Sequence, residues 1–239
     1  MKLKSVLWGG AIALVLAGVA GAVLLLIHHE PEFYHVAALR EGEGKRRTQQ
    51  SGEFLNRLNQ FRQDVAFQTG WYAEFTDEQI NSFFDEQFVP LGLDKRVLPE
   101  GISAPRIAIE KDQIRLAFRY RLGPFSTIIS INMRVWLPPR EPNVIALELR
   151  GLHAGSLPIA AQSLLESVSE TARQNNIEIT WYRHQGNPVA LLRFQADQDR
   201  PTYQVDHLVL QPGVIRVNGR SVEAPLRAVS ASQNLPSSN

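Results

Sequence analysis

Gln113-Ile114-Arg115-Leu116-Ala117-Phe118-Arg119-Tyr120-Arg121-Leu122 alternates two kinds of side chain without a break. Successive strand residues point to opposite faces. Ile114, Leu116, Phe118, Tyr120 and Leu122 therefore share one face, and Gln113, Arg115, Ala117, Arg119 and Arg121 the other. One apolar face and one polar face predict an antiparallel sheet with a single side on a core.

The pattern extends both ways. Upstream, residues 106–110 fold back across Lys111-Asp112 as a hairpin. Downstream, Gly123-Pro124 breaks the run, and residues 125–137 resume it with Ile129, Ile131, Met133, Val135 and Leu137 inward. The stretch PPREPN (138–143) is the next turn, and 144–152 is a strand with Ile145, Leu147 and Leu149 inward. Further strands are expected at 177–183, 189–195, 203–210 and 214–217, parted by Gly186-Asn187-Pro188, Arg200-Pro201 and Pro212-Gly213. Their order in the sheet is not readable from the sequence.

Helices flank this meander. From about residue 49, Phe54, Leu58, Phe61 and Val65 recur at helical spacing until Gly70. Thr76 then opens a second helix, with Gln79 at N3 as its capping-box partner and Phe75 stapled on Ile80. Ile80, Phe83, Phe84 and Gln87 or Phe88 form its buried side, and Pro90 ends it. A third helix, at about 159–175, follows Gly155-Ser156-Leu157-Pro158 and carries Leu164, Leu165, Val168 and Ala172. The expectation is an α+β domain at 49–225, an antiparallel sheet with a few packed helices.

Ahead of the domain, residues 5–27 read SVLWGGAIALVLAGVAGAVLLLI, without a charge. At about 1.5 Å per residue this run is long enough for a hydrocarbon core of about 30 Å, and it predicts an N-terminal transmembrane helix. Lys2 and Lys4 precede it, and Glu30 and Glu32 follow. The positive-inside rule places residues 1–4 in the cytoplasm and the domain outside it. Ala20-Gly21-Ala22 resembles a signal-peptidase site, but the apolar run continues to Ile27, past where a cleaved signal turns polar. Gly9, Ala13, Ala17 and Gly21 form a small-residue stripe of the kind that lets helices approach, in a segment rich in small residues throughout. Residues 28–48 read as a juxtamembrane linker, and 226–239, rich in Ser and Asn, as a disordered tail.

Lys and Arg total 25 against 24 Asp and Glu, which gives no general pull toward nucleic acid. With no cysteine, the chain has no disulfide, thiolate metal site or cysteine nucleophile. His28, His29, His35, His153, His184 and His207 lack ligand spacing, and no nucleophile-elbow, phosphate-loop or dinucleotide motif occurs. No cofactor or metal is expected. Asp77, Glu78, Asp85 and Glu86 sit on one short helix as capping and solvated residues. Arg115, Arg119, Arg121 and Arg134, with Trp136, make the polar sheet face basic and partly aromatic. Such a face suits an anionic lipid group or an acidic partner. It also serves as an ordinary solvated face, where arginine guards against sheet-to-sheet association.

TDEQINSFF (76–84), PRIAIEKDQIRLAFRY (105–120), EPNVIALEL (141–149) and AGSLPI (154–159) resemble a group of uncharacterised, membrane-anchored planctomycete proteins, over most of residues 70–220. The order of anchor, capped helix, strands and Gly-x-Leu-Pro turn is more loosely similar to the YpmS-like anchored proteins of Gram-positive bacteria. The resemblance implies a bacterial envelope protein and transfers no catalytic residue. The expected function is a non-enzymatic envelope module that binds a partner protein or an apolar, lipidic ligand near the membrane. The alternatives are a hydrolase with a scattered site, or a structural subunit of a membrane complex.

Overall fold

The computed structural model describes Leu26 and residues 29–38, 44–139, 141, 143–160, 178–193 and 202–221, together with Gln162, Leu165, Glu166, Ser169, Glu170 and Arg173. The expected membrane segment, except for Leu26, and the tail at 226–239 lie outside the described residues. Among the described residues no helix is long and apolar enough to cross a membrane.

In chain order the elements are α1 (Glu32–Ala38), α2 (Gly44–Phe67), β1 (Gly70–Thr76), α3 (Asp77–Glu86), α4 (Leu93–Val97), β2 (Ile102–Glu110), β3 (Gln113–Leu122), β4 (Phe125–Trp136), β5 (Val144–Ala154), β6 (Leu157–Pro158), β7 (Glu178–His184), β8 (Asn187–Arg193), β9 (Tyr203–Gln211) and β10 (Val214–Ser221). The large sheet runs β2-β3-β4-β5-β8-β7 with β6 beside β5, and a small sheet runs β1-β10-β9. The pairings are antiparallel, so the fold is α+β and mainly antiparallel sheet.

The alternating stretch is β3, and Lys111-Asp112 turns it back onto β2 with Glu110 opposite Gln113. Asp112 holds φ +59°, a left-handed position that Asp tolerates better than most residues. The expected inward parity is observed over most of β3, β4 and β5, but Leu122, expected inward, is 65% exposed at the end of the sheet. Leu116, Phe118, Ile129, Ile131, Met133, Leu149 and Leu152 form one cluster, joined by Leu165. At the far end of the sheet Ile109, Val135 and Leu210 form a second, with Ile80, Ile114, Ile145 and Ile215 around them. That cluster joins the two sheets. Gly213 N–H donates to the Ile109 carbonyl at 2.8 Å, and Asp112 N–H to the Leu210 carbonyl at 3.4 Å.

The α3 cap is built as expected. Thr76 Oγ1 accepts from Gln79 N–H at 3.1 Å, and Gln79 Oε1 accepts from Thr76 N–H at 3.2 Å. The helix stops at Glu86, earlier than Pro90. α2 packs on α3 and β1 through rings: Phe54 lies 5.5 Å from Phe75 and 5.0 Å from Phe83, and Phe61 lies 5.4 Å from Trp71.

Three further features depart from the sequence reading. First, 28–48 is not simply a linker: it contains α1 and the first turns of α2, which starts at Gly44 rather than 49. Second, β1 continues directly into α3, and its partner β10 lies at the other end of the chain. Third, β2 starts at Ile102 rather than 106, because a bulge between Ser103 and Arg106 absorbs Pro105. At that bulge Ala104 holds φ +47°, and its carbonyl accepts from the Tyr34 hydroxyl at 3.1 Å.

Candidate functional site

α1 lies on the face of β3 expected to meet solvent. Tyr34 is 3% exposed and packs on Ala117 (0%) and Ile128 (1%), so this part of the sheet is buried on both sides. The register allows this because Ala117 interrupts the row of arginines and leaves a gap that a ring fills.

Two of the four expected arginines are engaged by α1 and its approach. Arg119 pairs with Glu30 at 3.0 Å, and its guanidinium sits 5.8 Å from the Tyr34 ring centroid. Glu30 also meets His35 at 3.1 Å. Arg115 lies 4.2 Å over the Phe33 ring and pairs with Glu110 at 3.1 Å. Arg121 and Arg134 are exposed, Arg134 with its guanidinium 5.5 Å from the Trp136 ring. Arg134 stands opposite Gln113 and Arg121 opposite Ser126, which sets them about 27 Å apart at about 3.4 Å per residue. The four arginines share a parity but do not form one anion-binding patch.

The acidic residues of α3 also behave differently from a solvated row. Asp85 pairs with the buried Arg106 and lies 3.6 Å from Arg47. Glu78 pairs with Arg46 at 2.7 Å, and Asp77 accepts from Ile109 N–H at 3.4 Å. Asn81 spans the seam to β2, donating to the Ile107 carbonyl at 2.8 Å and accepting from its N–H at 2.9 Å. The cleft over this seam, about 270 Å³, mixes apolar walls such as Phe33 and Val36 with charged side chains that are already paired, Arg46 with Glu78 and Arg47 with Asp85.

Among the described residues the histidines do not converge. His153 is on β5, His184 on β7 and His207 on β9, where its Nδ1 lies 3.0 Å from Asn218 Oδ1. Among the described residues no three His, Cys, Asp or Glu side chains gather to hold a metal. Glu148, 2% exposed on β5, is a buried carboxylate that the sequence reading did not single out. It accepts from Asn187 Nδ2 at 2.9 Å and Arg150 Nε at 3.2 Å. The Asn187 bond, followed by that of Arg150, outweighs desolvation and holds its pKa below the ordinary carboxylate value.

A different site lies at the end of the molecule that carries the small sheet. Between α2 and that sheet runs an apolar cleft of about 490 Å³, walled by Phe61, Val65, Trp71, Phe75, Ile145 and Val217. This falls within the range of about 300–1,000 Å³ typical of small-molecule sites. Its polar groups are few. Tyr203 lines it, and burial pushes the phenol pKa above its ordinary value. Arg62, at the rim, is exposed and makes no ion pair among the described residues. Trp71 is 5% exposed, and its indole N–H has no hydrogen-bond partner among the described residues. The sequence reading placed Phe61 and Val65 on the buried side of α2 but missed β1 and hence Trp71. The available signal was the alternation through 70–76, hidden between two helices.

No protein-family model matches this chain, and neither a curated protein nor a solved structure does.

Proposed function

We propose that the chain is a single-pass protein of the cell membrane, tethered by residues 5–27, that carries a non-enzymatic binding module on the extracytoplasmic side. The module's ligand is a single apolar chain with an anionic head, held in the cleft between α2 and the small sheet. The observation that carries this reading is the cleft itself, lined mainly by apolar side chains, with Arg62, which makes no ion pair among the described residues, at its rim. An acyl chain buried there leaves water, and its head meets a guanidinium suited to carboxylate. The uncharged run at 5–27, with lysines before it and acids after it, supports the tether. The resemblance to anchored envelope proteins is consistent with it.

The test is photolabelling of the full chain in vesicles with a diazirine-bearing long-chain fatty acid added from buffer. Label should map to 61–75 and 203–217, and Val65→Trp, which fills the cleft, should remove it there. Labelling confined to 1–27 would reduce the probe to a membrane solute and sink the reading.

A further inference from the structure

We infer that the end of the large sheet opposite the apolar cleft is a membrane-docking surface, pressed on the outer face of the bilayer that holds the tether. The chain enters the domain at this end: Ser156 N–H donates to the Leu26 carbonyl at 2.8 Å, and Gly155 N–H to the Ile128 carbonyl at 2.8 Å. Glu30 pairs with Arg119, two residues before Arg121. The β3–β4 turn therefore stands beside the chain's exit from the uncharged segment.

Large apolar side chains are left uncovered here. At the turn Leu122 and Phe125 face each other across the strands, 65% and 60% exposed. Ile159, 41% exposed, follows the β5–β6 turn, where Gly155 and Ser156 make the bonds just described. α3 leads to the same end. Asp77 meets Ile109, Asn81 meets Ile107 and Asp85 meets Arg106, so the helix descends β2 toward Gly101. The Gly101 carbonyl accepts from Arg121 N–H at 2.9 Å. The turn beyond α3 exposes Val89 at 62% and Leu91 at 50%. Single exposed apolar residues are ordinary on a soluble surface, but a group at one end marks a contact site. The exposed Arg121 among them supplies the cation that suits anionic headgroups.

The inference rests on the tether reading, because it is the exit of residues 5–27 that selects a bilayer over other occupants. It also fixes the cleft on the side facing away from the membrane, about 30 Å off along β3.

The chain has no cysteine, so single cysteines report without background. Leu91→Cys, Phe125→Cys and, as a distal control, Val209→Cys would each be labelled with bimane in the full chain and reconstituted in vesicles containing phosphatidylglycerol and a headgroup spin-labelled lipid. Bimane at 91 and 125 should be quenched several-fold more than at 209. Leu122→Asp should relieve the quenching at 91 while the chain still resists alkaline carbonate extraction. Equal quenching at all three positions, in a chain that resists extraction, overturns the docking surface and leaves the tether standing. Extraction by carbonate overturns the tether, and the docking inference with it. Protection at 91 and 125 that vanishes as protein is diluted in the vesicles identifies a second copy as the occupant, and also overturns it.

Discussion

Gly219 stands where a side chain has no room. A Cβ there would lie 2.1 Å from the Gln204 carbonyl oxygen and 2.3 Å from Trp71 Cζ2. It sits at the bulge in the β9–β10 pairing, so the small sheet closes on the indole only because this residue is glycine. Gly219→Ala has to move backbone or the cleft wall, and the expected loss is about 1–3 kcal/mol, measured as a fall in urea midpoint. An unchanged midpoint would mean that Trp71 yields freely. Glu148 poses a pH question. Its folded pKa is depressed by Asn187 and then Arg150, so its stabilisation is fully present above the unfolded value of about 4.3 and lost as pH falls through the lower folded value. Glu148→Gln should cost about 1–3 kcal/mol at neutral pH and flatten the dependence of melting temperature on pH across that acid window. A parallel offset between the two pH profiles would refute the ionised role.

Among elements, α3 and α1 separate local from tertiary control. The α3 cap is written in adjacent residues, Thr76 and Gln79, and needs nothing else to form. Thr76→Ala should cost about 0.5–2 kcal/mol of domain stability, with Thr76→Ser close to the parent in denaturant titration. α1 is the opposite case: seven residues are too few to hold a helix in water, so its order comes from the sheet beneath it. Arg119→Gln breaks both the Glu30 pair and the contact with Tyr34, and should lower stability by about 1 kcal/mol. Arg121→Gln, at an exposed position, should stay within about 0.5 kcal/mol. Equal effects in a thermal melt would show that α1 does not depend on Arg119.

At the scale of the molecule, the exposed β3–β4 turn lies at one end of the large sheet, and the small sheet and its cleft at the other. If the tether is oriented as proposed, a reporter active only outside the cytoplasm should work when fused after Asn239, and the isolated chain should begin at Met1. A soluble species starting near Val23 would make the segment a cleaved signal. By itself the sequence determined what is periodic or adjacent: the inward parity of β3, β4 and β5, the Lys111-Asp112 hairpin, the apolar face of α2 and the α3 cap. These follow from side-chain spacing and from hydrogen bonds a few residues apart, which any local window contains. Tertiary structure alone decided the pairing of β1 with β10, the covering of Arg115 and Arg119 by α1, and the cleft, because each joins residues distant along the chain. Parity tells which face a side chain occupies, but not what will lie on it. Arg119 is outward by alternation and engaged only because Glu30 and Tyr34 come to rest beside it.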